Sequence, residues 1–123
     1  MKICIDGNDG TGKTTIISFL KERYPNVIFM DRGLPSAMTV NKDFEKADHY
    51  FILTCPVSVS LERLKNANRD MTEYWHLPET LNYFNDKFKE LALQNNWIIV
   101  ESTSSVDSVL NIICEKINFL LGV

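Results

Sequence analysis

Residues 2–20 read KICIDGNDGTGKTTIISFL, and the fold turns on how that stretch divides. Met1 to Asp6 is a short apolar run that ends in a glycine-rich turn, the pattern of a buried strand. From Thr14 to Tyr24 the apolar positions Ile16, Ile17, Phe19 and Leu20 cover one side of a helix, which Pro25 stops. A strand, a tight loop and a helix therefore follow one another within the first two dozen residues.

The loop carries its own chemistry. Gly7, Asn8, Asp9, Gly10, Thr11, Gly12, Lys13 and Thr14 fit the pattern G-x-x-x-x-G-K-[ST]. Gly7, Gly10 and Gly12 suit backbone angles that side chains resist, and they let a phosphate approach the main chain. Loop amides and the helix N-terminus supply donors and positive dipole to an anion. Lys13 is placed to reach the outer phosphates, and the Thr14 hydroxyl suits magnesium. The strand before and the helix after are the context this motif requires.

The same alternation continues outward. Val27 to Met30 reads as a second buried strand ending at Asp31, and Tyr50 to Thr54 as a third. A polar, mixed stretch from Gly33 to Asp48 holds a short helix. Pro56 is expected as the first residue of a helix that turns Val57, Leu61 and Leu64 inward. Asn66 to His76 is polar and irregular. Pro78 to Asn95 is the clearest helix, with a stripe of Leu77, Leu81, Phe84, Phe88 and Leu91. Trp97 to Val100 is the fourth strand. Ser104 or Ser105 caps a last helix striped by Val106, Val109, Leu110, Ile113, Ile117 and Leu120. Strands alternating with helices predict an α/β fold, a small parallel sheet of about four strands between two helical layers. Ligands of such sheets bind at the carboxyl ends of the strands. The glycine loop and Asp31 both fall there.

Composition sets limits. With 123 residues, one domain spanning 1–123 is expected. The hydrophobic share of 45% is ordinary for a globular chain. No apolar run reaches the roughly 18 residues of a membrane span. The apolar start breaks at Asp6 and Gly7, too soon for a secretory signal, so a cytoplasmic chain with no membrane partner is expected. The net charge of −3 and pI of about 5.3 argue against tight nonspecific binding to nucleic acid. Cys4, Cys55 and Cys114 lie far apart among apolar residues, which predicts buried, reduced thiols. His49 and His76 lack ligand spacing and read as structural histidines. Asn41-Lys42-Asp43 departs from the guanine-reading N-K-x-D motif, which argues against GTP.

Two further clusters bear on chemistry. Asp31 ends an apolar strand, where a magnesium-linked or base carboxylate is useful, and Arg32 beside it is suited to gripping a second phosphate. LERLKNANRDMTEY carries Arg63, Lys65 and Arg69 within seven positions. Phosphoryl transfer spreads charge over the moving group, and arginines on a closing loop stabilise it.

On these residues the chain resembles the thymidylate kinase-like family of P-loop nucleotide kinases. GNDGTGKTT, with its second threonine Thr15, is similar to that family's loop. DRGLPS resembles its D-R-x-x-x-S segment through Asp31, Arg32 and Ser36. FILTCPVSVSLERLKNANRDMTEY resembles its strand, helix and lid, and WIIVESTSSVDSV its last strand and helix. The resemblance implies a P-loop NTPase fold with ATP and magnesium as cofactors. It implies that residues 7–15 hold ATP, with Lys13 and Thr14 on phosphates and metal. Asp9 would approach the acceptor side. Asp31 would position magnesium or acceptor, and Arg32 the acceptor phosphate. Arg63 would lie against adenine, and Arg69 would reach the transferred group from the lid.

The chain departs from the family between the first helix and the Asp31 strand. The family places a strand and helices there to bind the acceptor nucleoside; here the connection is short. An ATP-dependent kinase of a nucleotide acceptor is the expected function, most simply a deoxynucleoside monophosphate kinase. Alternatives are an acceptor hydroxyl on a polynucleotide, its modified base or a small molecule, or a noncatalytic nucleotide binder acting through partners. The shortened body is also expected to leave an apolar surface that a second copy covers as a homodimer.

Overall fold

Period-two alternation in the strands sorts the molecule into layers. Ile3 and Ile5 of β1 (Lys2–Gly7) face one side with Phe51 and Leu53 of β3 (His49–Thr54). There they meet Ile16, Ile17 and Leu20 of α1 (Lys13–Arg23) and Val109, Leu110, Ile113 and Ile117 of α4 (Val106–Leu121). Ile52 faces the other side, against Phe84, Phe88 and Ala92 of α3 (Pro78–Asn95). Helix α2 (Val57–Asn66) packs beside α3. The computed structural model from which this follows describes residues 1–31 and 47–122.

The strands, with β2 (Ile28–Met30) and β4 (Ile98–Glu101), form one parallel sheet in the order β2-β1-β3-β4. Register pairs Cys4 with Met30, Cys4 with Tyr50, and Ile52 with Ile99. The expected α/β sheet between helical layers is therefore observed. The chain leaves β1 toward β2 on one side and later returns to β3 on the other. The carboxyl end of β1 is thus the topological switch point, where a crevice opens in sheets of this kind. β2 is a three-residue edge strand, and Ile28 on it is 56% exposed. Short edges of this kind offer little for another chain to pair with.

Most expected elements appear within a residue or two of their predicted limits, and α3 has the same ends. Pro56 precedes α2 as its cap instead of starting it. Val106 is exposed, because it opens α4 before the helix has turned its stripe to the sheet. Ser105 caps α4, its hydroxyl oxygen accepting from the Ser108 amide at 3.3 Å. Between α1 and β2 stand only residues 24–27, so the short connection is observed. Tyr24 fastens it: its hydroxyl donates to Asn118 Oδ1 at 2.8 Å, joining α1 to α4. The short helix expected within 33–48 lies mostly outside the described residues, as do Arg32, Ser36 and the Asn41–Asp43 segment. No helix among the described residues is long and apolar enough to cross a membrane.

Candidate phosphate-binding site

The loop between β1 and α1 is held from three directions. Beneath it, the Asp6 carboxylate is 1% exposed and accepts from the Gly7 amide at 2.8 Å. It also faces the Lys13 ammonium at 3.6 Å, while Lys13 donates to the Gly7 carbonyl at 3.1 Å. A buried carboxylate beside the lysine offsets its positive charge. From the α3 side, Asn8 Nδ2 donates to the Leu81 carbonyl at 2.6 Å. From the β4 side, the Ser102 hydroxyl donates to the Thr11 carbonyl. Thr11 is buried, and its own hydroxyl donates to Asn8 O at 2.7 Å.

Gly10 is where the loop meets α2. Its φ is +83°, and a Cβ there would stand 2.8 Å from the Ser60 carbonyl oxygen. The glycine is required on both counts, conformation and space. Gly12 precedes α1 in the left-handed region. The first amides of α1 are therefore free to face an anion.

An open cleft of about 320 Å³ lies over this loop, lined by Asn8, Asp9, Gly10, Gly12, Lys13, Thr14, Thr15, Arg63, Leu64, Ala67 and Arg69. Most residues expected from sequence to hold nucleotide are thus together. Gly7 and Thr11 support the loop from below and are not in the lining. A second cleft, of about 500 Å³, lies between Thr54, Asn85, Lys89 and Glu101. It lacks a glycine loop, and the Glu101 carboxylate lines it along with Lys89, so it is a poor place for phosphates.

Two arginines enter the first cleft for different local reasons. Arg63, in the last turn of α2, donates to Gly10 O at 3.2 Å and to Ser104 O at 3.3 Å. It bridges the phosphate loop to the turn after β4. Arg69 comes from the way α2 ends. Asn68 adopts φ 56°, its amide donates to Lys65 O at 3.0 Å, and the Arg69 amide donates to Leu64 O at 3.0 Å. That pair of bonds is a Schellman closure with asparagine in the left-handed position. It folds the chain back and delivers Arg69 to the cleft.

Asp31 follows β2 at the carboxyl edge of the sheet, exposed and outside the lining of this cleft. It lies near enough to Cys4 to act on it electrostatically. Burial, helped by the Asp6 carboxylate, pushes the Cys4 thiol up to about 12, against a smaller opposing effect of Lys13. Cys4 is therefore no nucleophile at neutral pH. All three cysteines are free, Cys4 and Cys55 buried and Cys114 half-buried.

The structure adds residues that sequence reading passed over. Asp6 had a local signal, a charge ending an apolar strand directly before the loop. Asn68 had a weaker one, as an asparagine following a helix. Ser102 and His76 had none. His76, expected to be an ordinary structural histidine, contacts Asp9 of the loop across the fold, Nε2 to Oδ2 at 3.0 Å.

Comparison with protein-family models gives no match, and comparison with curated proteins gives none either. Solved structures do resemble the chain. Deoxyadenosine kinase from M. mycoides with products dCMP and a flexible dCDP bound superposes with a TM-score of 0.79 at 18% identity, covering 98% of this chain and 100% of that one. The same enzyme with bound dATP gives 0.73 at 16% identity, covering 96% and 100%. With bound dCTP it gives 0.71 at 18% identity, covering 96% and 99%. The chain therefore shares the fold of that deoxyadenosine kinase.

Proposed function

We propose that this protein is an ATP-dependent phosphotransferase that moves the γ-phosphoryl group of ATP to a small nucleoside or nucleotide acceptor. The observation that carries the reading is the convergence of the loop, Lys13, Thr14 and Arg69 on one cleft at the switch point of the sheet. A loop alone holds phosphate. A loop with a lysine on one side and an arginine from a separate segment on the other can follow charge as it moves from donor to acceptor. The kinase fold shared with the M. mycoides enzyme supports the same class of chemistry.

Each group then has a role. Loop amides and the N-terminus of α1 bind the β-phosphate. Lys13 exchanges its contacts with Gly7 O and Asp6 for phosphate oxygens, and Asp6 stays behind to orient it. Arg63 offers the flat face of its guanidinium toward adenine while its edges hold Gly10 O and Ser104 O. Arg69 neutralises the phosphoryl group in flight. A monophosphate acceptor is already a competent nucleophile at neutral pH. A hydroxyl acceptor needs a base, and Asp31, at the end of β2, is the candidate.

Magnesium suits the donors present. Among the described residues no group of three acidic, histidine or cysteine side chains would bind a metal unaided. The Thr14 hydroxyl lines the cleft beside Lys13. Magnesium commonly uses one or two protein oxygens plus nucleotide phosphates, so Thr14 would hold it; Asp31, the second expected ligand, lies outside the lining of the cleft. When bound, the metal would supply positive charge to the phosphates.

The test is ATP consumption with and without a panel of deoxynucleosides and their monophosphates. Acceleration by one class of acceptor supports the proposal. Slow hydrolysis that no acceptor changes would instead favour a nucleotide binder acting through partners.

A further inference from the structure

His76 is 1% exposed, and both of its ring nitrogens are engaged. It ends a 3₁₀ turn, Tyr74–His76, between the segment that carries Arg69 and helix α3. Nδ1 is 2.8 Å from the main-chain oxygen of Asp70, the residue after Arg69. Nε2 is 3.0 Å from Oδ2 of Asp9 in the phosphate loop. A carbonyl and an ionised carboxylate both only accept hydrogen bonds. The two contacts can therefore coexist only when each ring nitrogen carries a proton.

The charges around the ring agree with that state. Asp9 faces it from the loop, and Glu73 Oε2 lies 3.4 Å from Nδ1 on the near side. Asp70 acts on it from the same segment; its carboxyl is held below the usual range mainly by bonds from the Thr72 hydroxyl and amide, with a smaller effect of His76. Helix α3 packs on the turn through Phe84 against Trp75, and among the described residues no ion pair joins it to His76. The imidazole thus sits among carboxylates and joins the Arg69 segment to the phosphate loop, two parts that lie far apart in sequence.

We propose that His76 is a positioning residue that locks the Arg69 segment to the phosphate loop through Asp9, and that the lock holds only while the ring carries both protons. The consequence for transfer rests on the phosphotransferase reading above; the lock itself does not. Loss of one proton turns the Nε2 lone pair toward the Asp9 carboxylate. The segment then parts from the loop and takes Arg69 from the cleft. ATP binding, which depends on the loop amides and Lys13, persists. Turnover therefore falls on the alkaline side while the KM for ATP is held.

Asp9→Asn separates this from a merely structural role. The introduced amide can donate, so a neutral ring completes the same bridge: Nδ1–H to Asp70 O, and amide to Nε2. The experiment is ring-nitrogen NMR of His76 at neutral pH in the full chain and in Asp9→Asn, with a pH profile of the parent. Two protonated nitrogens are expected in the parent and one in the variant, and the parent loses turnover on the alkaline side. A singly protonated ring in the parent, or the same ring state in both proteins, overturns the proposal. His76→Asn is expected to lower kcat by about ten- to a hundredfold, the scale of a small misplacement, with the KM for ATP within about twofold. An unchanged kcat also overturns it. If no acceptor is phosphorylated the functional reading fails, and the NMR result still decides whether the lock exists.

Discussion

Replacing Gly10 with alanine tests how the phosphate loop is seated. Two costs add. The residue has φ +83°, and an L side chain in the left-handed region costs roughly 1–2 kcal/mol. The new methyl would also stand 2.8 Å from the Ser60 carbonyl oxygen and 2.9 Å from its Cα. Both neighbours are backbone, so no side-chain rotation relieves the contact and α2 must move. Overpacking of this kind costs about 1–3 kcal/mol. Gly10→Ala is thus expected to lose about 2–5 kcal/mol in all. Gly12→Ala is the control. Its φ is +85°, but its nearest neighbour is Ile16 Cδ1 at 3.9 Å, an ordinary contact. It should lose only the conformational part, about 1–2 kcal/mol. Urea denaturation with equal m values reads the difference as a shift in midpoint. Equal losses in the two variants would refute the packing of the loop on α2.

Other consequences follow from the same geometry. Arg69→Ala should lower kcat on the order of 10³-fold with ATP affinity intact, measured by steady-state kinetics and nucleotide titration; an equal loss of affinity would make Arg69 a ground-state binder. Asn68→Val should destabilise by about 1–2 kcal/mol in urea, whereas Asn68→Gly should be neutral or slightly stabilising. If valine is as well tolerated as glycine, the Schellman closure is not what delivers Arg69. With its thiol pushed up to about 12, Cys4 carries little thiolate at pH 8 and gains it only as pH rises toward that value. Iodoacetamide labelling of the folded chain, read by peptide mass spectrometry, should spare Cys4 and reach the half-buried Cys114 first.

Much of the fold was legible because its signals are local. Short apolar runs gave the strands, the first two ending at glycine or aspartate, and the stripe from Leu81 to Phe88 gave α3. Pattern lost accuracy at boundaries, where burial changes within one residue: Pro56 caps α2, and Val106 starts α4 while still exposed. The cleft was legible where its residues are contiguous, from Asn8 to Thr15. Arg63 and Arg69 were reached through the family resemblance and a cluster of charge. The supports other than Asp6 were not legible, because their partners are remote. Ser102 acts on Thr11 from 91 positions away, and His76 on Asp9 from 67. No spacing rule links such pairs; only the packing of elements distant in sequence brings them together.

Transfer of phosphate from ATP to an acceptor in the cleft over the loop is tested most directly by following label from γ-labelled ATP into a panel of deoxynucleosides and deoxynucleoside monophosphates, with the parent chain and Lys13→Ala in parallel. Label is expected in one class of acceptor with the parent chain and none with Lys13→Ala. Label that appears only as inorganic phosphate, or transfer that survives the loss of Lys13, would contradict that expectation.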